Sequence, residues 1–284
     1  MPNINVTLEN CATALITKNK PIKVTKNNML WAMIYANKMH REFKTSNDLR
    51  KYVQWRKAQM NFVFDFSNKD LKINDHIQAL EKSYLITLSF DLGMTIANIV
   101  CKNILGLNHL YHLNMRKYNC NAGANVDFIS QNASGYFAIE AKGTITENWY
   151  GKSKALDRLS KVAKINNNVP SKYAVLTRCR DLVIESCLID PEIENNDNIQ
   201  IPGKFWDFQN EIYELLDNQH ETPYGAKLKY IEIEGAFFGM TSPNDRWGLM
   251  NVRDNEGRRM EIDNKIYLVE YFEDGSVIGI EEAD

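Results

Sequence analysis

Ala124-Asn125-Val126-Asp127-Phe128-Ile129-Ser130, Gln131-Asn132-Ala133-Ser134-Gly135 and Tyr136-Phe137-Ala138-Ile139-Glu140-Ala141-Lys142 follow one another as two apolar runs around a polar break, the pattern of a β-hairpin. Side chains alternate along a strand, so Glu140 and Lys142 share one face while Ile139 and Ala141 take the other. If Gln131 and Tyr136 close a four-residue loop, Asp127 stands directly opposite Glu140. Like charges opposed across apolar strands are destabilising. The arrangement therefore calls for a compensating cation, either Lys142 or a bound metal.

Working outward, the hairpin is followed by a helical stretch from Lys154 to Ile165, a breaker at Asn166 to Ser171 containing Pro170, and a strand from Tyr173 to Thr177. Before it, Asn74-Asp75 reads as the N-cap of a long helix from His76 to Leu105, ended by Gly106 and carrying Leu85, Leu88, Leu92, Ile96 and Ile99 on one side. Helix, hairpin, helix, strand is the order of an α/β fold with a mixed central sheet flanked by helices; Leu110 to Leu113 or Leu182 to Leu188 supplies a further strand. Upstream, Met1 to Lys26 is a polar lead-in, and Met29 to Phe62 reads as one or two amphipathic helices with an apolar stripe of Trp31, Ile34, Tyr35 and Met39. Downstream come a polar loop from Pro191 to Pro202, a helix from Phe205 to Leu216, and short strands between Tyr230 and Ile280, with turns at Asp254 to Gly257 and at Asp274-Gly275. The segmentation expected is a basic, mainly helical N-terminal region (1–72), a core (73–190) and an acidic, β-rich C-terminal appendage (191–284).

An acid, one spacer and a lysine is a weak signal alone, because Glu42-Phe43-Lys44, Asp70-Leu71-Lys72 and Asp263-Asn264-Lys265 repeat it. Context separates them: those three fall on a helix, a connector and a turn, whereas Glu140-Ala141-Lys142 ends an apolar strand. In this setting the hairpin resembles the PD-(D/E)xK nuclease superfamily, in which a hairpin supplies an Asp and then an acid-x-Lys; Gly143-Thr144 and the basic helix after it are also similar. The resemblance covers roughly Asp75 to Leu188, and Val126 stands where the family usually has proline.

That resemblance implies a restriction-endonuclease-like core and metal-dependent endonuclease chemistry, with Asp127, Glu140 and Lys142 as catalytic residues. It implies Mg²⁺ or Mn²⁺ bound by hard oxygen ligands, here Asp127, Glu140 and the backbone carbonyl of Ala141, with Lys142 orienting the attacking water. A further acid from the preceding helix is common in that superfamily, and Glu81 and Asp91 are the two candidates, the alternative for each being a helix-surface or locally hydrogen-bonded carboxylate. The substrate implied is DNA, with RNA equally compatible with backbone-directed chemistry. The role implied is bacterial anti-phage defence or restriction. The rival expectations are a catalytically silent binding or scaffold module, and a simple salt bridge at Lys142.

Between Gly151 and Arg180, eight basic residues face the single acid Asp157. Lys152, Lys154, Arg158 and Lys161 are the candidates for binding a phosphate backbone, the alternative being a solvated basic helix face. Trp149 and Tyr150 are candidates for base stacking, the alternative being core or rim packing. Net charge is only −2, yet residues 1–180 carry +14 and residues 181–284 carry −16. The acidic C-terminal part is thus a candidate surface for a protein partner or a restraint on the basic part, and double-strand cutting would call for a homodimer. Phosphate-binding loops (GxxxxGK[ST]), GxGxxG, HExxH and GxSxG are absent, and His109-x-x-His112 lacks further ligands. Five cysteines without a CxxC pair suggest neither disulfides nor a thiolate zinc site. The opening stretch lacks the apolar segment of a signal peptide, and Leu85 to Leu107 is interrupted by Asp91 and Lys102. The expected location is therefore the cytoplasm, with no membrane association.

Overall fold

The computed structural model describes residues 1–9, 19–36, 43–112, 126–191, 197–199, 207–242 and 258–282. The chain folds as two units, the first made of Met1–Thr25, Tyr35–Lys38 and Asn61–Pro202, the second of Lys26–Ile34, Met39–Met60 and Gly203–Asp284. These units cut across the three consecutive segments the sequence suggests.

The first unit is built on a mixed sheet from β1 (Asn3–Glu9), β2 (Asn19–Lys23), β3 (Phe64–Asp65), β4 (Lys72–Ile73), β5 (Tyr111–His112), β6 (Phe128–Asn132), β7 (Gly135–Gly143), β9 (Ser171–Arg180) and β10 (Val183–Ile189), while β8 (Val162–Ile165) pairs with β11 (Asp197–Ile199). Its main order is β2-β1-β10-β9-β7-β6-β5. β7 runs parallel to β9, β1 parallel to β10 and β11 parallel to β8, and the other pairs along the main order are antiparallel. The polar lead-in therefore supplies two strands of this sheet. Ile4 and Val6 are fully buried on β1, an alternation that the intervening asparagines and charges obscure in the sequence.

β7 lies between β6 and β9, and Phe137 through Ala141 are buried without a break, as expected of a strand covered on both faces. The β6–β7 register is the expected one, but the turn is shorter, since Asn132 pairs with Gly135 around Ala133-Ser134. Ala124, Asn125, the turn at Asp254 to Gly257 and most of the loop from Pro191 to Pro202 lie outside the described residues.

The expected long helix divides. Asp75–Ala79 forms one short 3-10 turn, Leu80 returns to extended backbone, and α3 spans Lys82–Leu105 before closing at Gly106 in the left-handed region (φ 64°). By length and composition α3 could cross a membrane, yet 67% of its most apolar window is buried against the rest of the chain. It meets β7 through two glycines. A methyl group on Gly93 would sit 2.5 Å from the Gly143 backbone nitrogen, and one on Gly143 would sit 2.0 Å from the Ser89 carbonyl oxygen. Neither position accepts a Cβ without moving backbone, so the pair sets how closely α3 approaches the end of the strand. The helix expected from Lys154 to Ile165 is α4 (Lys152–Ser160) followed by β8, in agreement with the strand preference of Val162 and Ile165.

The second unit holds α1 (Lys26–Tyr35, apart from its last residue), most of α2 (Ser46–Val63), α5 (Asp207–Leu215) and a curled antiparallel sheet. The strands are β12 (Asn218–Glu221), β13 (Lys227–Ile233), β14 (Ala236–Thr241), β15 (Arg258–Ile262), β16 (Lys265–Tyr271) and β17 (Ser276–Glu281), in the order β12-β13-β14-β17-β16-β15. Its core includes Leu228, Phe237, Met260, Tyr267 and Val277. α1 is not amphipathic as expected: every residue from Met29 to Ile34 is at most 2% exposed. Trp31 stacks on Phe272 at 5.0 Å and donates to Asp274 at 3.3 Å, and the Asn27 amide donates to the carbonyls of Leu268 and Ile278. Helix and sheet make one core, so the C-terminal strands are not a separate appendage.

Candidate active site

Asp127 sits one residue ahead of β6, and Glu140 lies in the middle of β7. The two backbones clasp each other through side chains: the Asp127 amide donates to Glu140 Oε2 at 3.1 Å, and the Ala141 amide donates to Asp127 Oδ2 at 3.0 Å. Glu140 is fully buried and Asp127 is 6% exposed. Two carboxylates so placed repel each other unless cations intervene. Two cations are present. Lys142 Nζ donates to Glu140 Oε1, to the Ala141 carbonyl at 3.0 Å and to Asp127 Oδ2 at 3.4 Å. Arg158, from α4, donates to Glu140 Oε1 at 2.7 Å and lies 3.8 Å from Asp127 Oδ1.

Burial, reinforced by the charge of Asp127, pushes the Glu140 carboxyl up to about 7, against the opposing pull of Lys142 and Arg158. Near neutral pH the two cations therefore do not fully offset the cost of enclosing this charge.

The oxygens of Asp127, Glu140 and the Ala141 carbonyl converge on the Lys142 ammonium, which marks the point where a cation is best solvated by the protein. A hard divalent ion fits such a donor set, with the remaining positions left to water and phosphate oxygens. Among the described residues no group of three or more His, Cys, Asp or Glu side chains is arranged as a metal site, so the set relies on a backbone carbonyl.

Asp127, Ala141, Lys142 and Arg158 line a cleft of about 790 Å³, whereas the fully buried Glu140 is not among its lining residues. α3 lines it with Lys82, Leu85, Ile86, Ser89 and Phe90, the segment after β7 with Thr144, Ile145, Thr146 and Tyr150, and α4 with Lys154 and Arg158. The Ile145 amide donates to Ser89 Oγ at 3.3 Å, and the Thr146 amide to Thr144 Oγ1 at 3.1 Å, which hold the segment after β7 in place.

The structure gathers Asp127, Glu140, the Ala141 carbonyl and Lys142 at one point. The two candidate helix acids are elsewhere. Glu81 is the exposed N-cap residue of α3, and Asp91, though buried, projects from the side of the helix opposite Ser89 and Gly93, the residues that meet Gly143. Of the four candidates for phosphate binding, Lys152 pairs with Glu9, Lys161 pairs with Asp157 at 2.8 Å, and Lys154 lines the cleft. Arg158 belongs to the acid cluster, a position that sequence reasoning missed. The available signal was its place beside Ala155 and Leu159, the buried stripe of α4. Trp149 stacks under the Arg178 guanidinium at 4.3 Å, and Arg178 in turn binds Glu185. Gly93 was also missed, since an isolated glycine inside a helix pattern gives no partner. No family model, curated protein or solved structure matches this chain.

Proposed function

We propose that the chain is a Mg²⁺- or Mn²⁺-dependent nuclease with a restriction-endonuclease-like core, hydrolysing phosphodiester bonds of DNA. The observation that carries this reading is the convergence of two buried carboxylates, a backbone carbonyl and two cations, with Asp127, Lys142 and Arg158 lining a cleft. A plain ion pair does not require it. Nearly complete burial of both acids is costly, and a structural site with this geometry would be replaced by apolar residues at little loss.

In this reading Asp127, Glu140 and the Ala141 carbonyl hold the ion, which when bound lowers the pKa of a coordinated water and polarises the phosphate. Lys142 and Arg158 remain 15% and 30% exposed at their side chains, so an entering phosphate reaches both. Lys142 then orients the attacking water and stabilises the negative charge that builds on the phosphate, with Arg158 assisting from the α4 side. By the same resemblance we place the activity in defence against foreign DNA.

The test is cleavage of plasmid and of single-stranded DNA by the native chain, Glu140→Ala and Lys142→Ala, with Mg²⁺ or Mn²⁺ and with RNA as a parallel substrate. The reading expects native cleavage and its loss in both variants while circular dichroism is unchanged. Undiminished cleavage by a folded Lys142→Ala chain would sink it.

A further inference from the structure

The cleft has two aromatic side chains that packing does not explain. Phe90 is 48% exposed and Tyr150 is 68% exposed, and both line the cleft that contains Asp127 and Lys142. Their placement follows from the backbone. Phe90 succeeds Ser89, whose carbonyl meets Gly143 at the end of β7, and Tyr150 precedes Gly151, where a Cβ would lie 3.0 Å from Lys142 Cδ. The two rings therefore stand near the end of β7 that carries Lys142, one from α3 and one from the segment just before α4. The charged groups lining the cleft are Lys82, Lys142, Lys154 and Arg158 against the single carboxylate of Asp127, a balance that attracts a polyanion.

Resting on the nuclease reading for where the phosphate sits, we propose that this cleft accepts a nucleotide with an unpaired base, stacked on Phe90 and Tyr150, so that the substrate is single-stranded nucleic acid and not intact duplex. The physical reason is access. A phosphate can reach Asp127 and Lys142 only by bringing its sugar and base into a concave site. Inside a duplex that base is already stacked and turned toward its complement, and removing it from the stack costs energy that a single strand does not require. Every base has a π face, so two exposed rings beside a cationic groove favour single strands regardless of sequence.

The test is fluorescence anisotropy of a labelled oligonucleotide in EDTA, as a single strand, as a duplex and as a single strand with abasic positions, using the full chain. The expected result is single-strand binding at least about tenfold tighter than duplex. A similar loss is expected in the Phe90→Ala/Tyr150→Ala chain and on abasic substitution, with no further loss when both are combined. Phe90→Trp with Tyr150→Phe should retain the affinity, which separates stacking from damage to the fold. Equal affinity for duplex and single strand, or an unaffected double-alanine chain, overturns the proposal. Absence of any nucleic-acid binding overturns it as well and leaves the aromatic pair as a protein-docking surface. Aromatic-dependent single-strand binding without cleavage under any metal would remove the nuclease reading and keep the base site. Cleavage of duplex and single strand alike, indifferent to both rings, would do the reverse.

Discussion

Two glutamate–lysine pairs, one in each unit, behave in opposite ways. Glu140 with Lys142 is enclosed within the first sheet, and burial holds its carboxyl up to about 7. Glu232, on β13 of the second unit, accepts from Lys265 and from the Tyr267 hydroxyl at 3.1 Å. It keeps 32% of its side chain exposed, and those hydrogen bonds hold its carboxyl below the usual glutamate range. The residue types are the same. What differs is water: a carboxylate that keeps part of its hydration gains from an ammonium, whereas one stripped of hydration beside a second acid is only partly compensated. The first arrangement costs stability, which the proposed nuclease reading assigns to holding a cation, and the second ties strands together.

The largest effect expected is catalytic. Lys142→Ala should lower cleavage on the order of 10²–10³-fold, whereas Lys265→Ala should leave it unchanged, both measured under single-turnover conditions. Equal losses would break the comparison. Next comes Gly93→Ala, whose methyl would press on the Gly143 backbone. It should destabilise the first unit by about 2–3 kcal/mol in denaturant unfolding, and near-neutral behaviour would mean that the α3–β7 approach is looser than described.

The third prediction concerns pH. The raised Glu140 carboxyl holds its proton more tightly in the folded chain than in the unfolded one. In EDTA its contribution to stability is therefore greatest below the ordinary glutamate value and is lost as pH rises toward about 7. A divalent ion must displace that proton. Calorimetry should accordingly show Mn²⁺ affinity rising up to about tenfold per pH unit below about 7 and levelling off above. An affinity independent of pH between 6 and 8 would remove Glu140 from the ligand set. The smallest effect belongs to Glu232→Gln, which should cost under about 1 kcal/mol at neutral pH. Its sign is opposite: a lowered carboxyl stabilises the fold above its ordinary value, and the stabilisation fades as pH falls through the depressed one. A larger loss, or one growing toward low pH, would erase the contrast between the pairs.

Local pattern made the hairpin legible. Alternation in Tyr136 to Lys142 and the polar break before it were enough to place Asp127 opposite Glu140, even though the turn itself is shorter than the residues suggest. The stop of α3 at Gly106 and the strand after Pro170 were equally local. Elsewhere the local signal misled. The strands at Asn3 and Asn19 alternate weakly because asparagine and lysine fill their exposed positions, and α1 shows no amphipathic stripe because Met29 to Ile34 are buried on every side.

The sequence by itself determined which chemistry was available, because strand periodicity is a property of neighbouring residues and it brings two acids and a lysine to one place. Only the tertiary structure decided that Arg158 joins them, that Glu81 and Asp91 do not, that Lys152 and Lys161 are engaged by acids, and that Phe90 and Tyr150 flank the cleft. The Arg158–Glu140 and Lys152–Glu9 contacts and the two sides of the cleft join residues far apart in the chain, and the cleft depends on a helix-to-strand approach close enough to require glycine on both sides. Spacing along the chain carries no information about such distances; they are set when the sheet and its helices pack to exclude water.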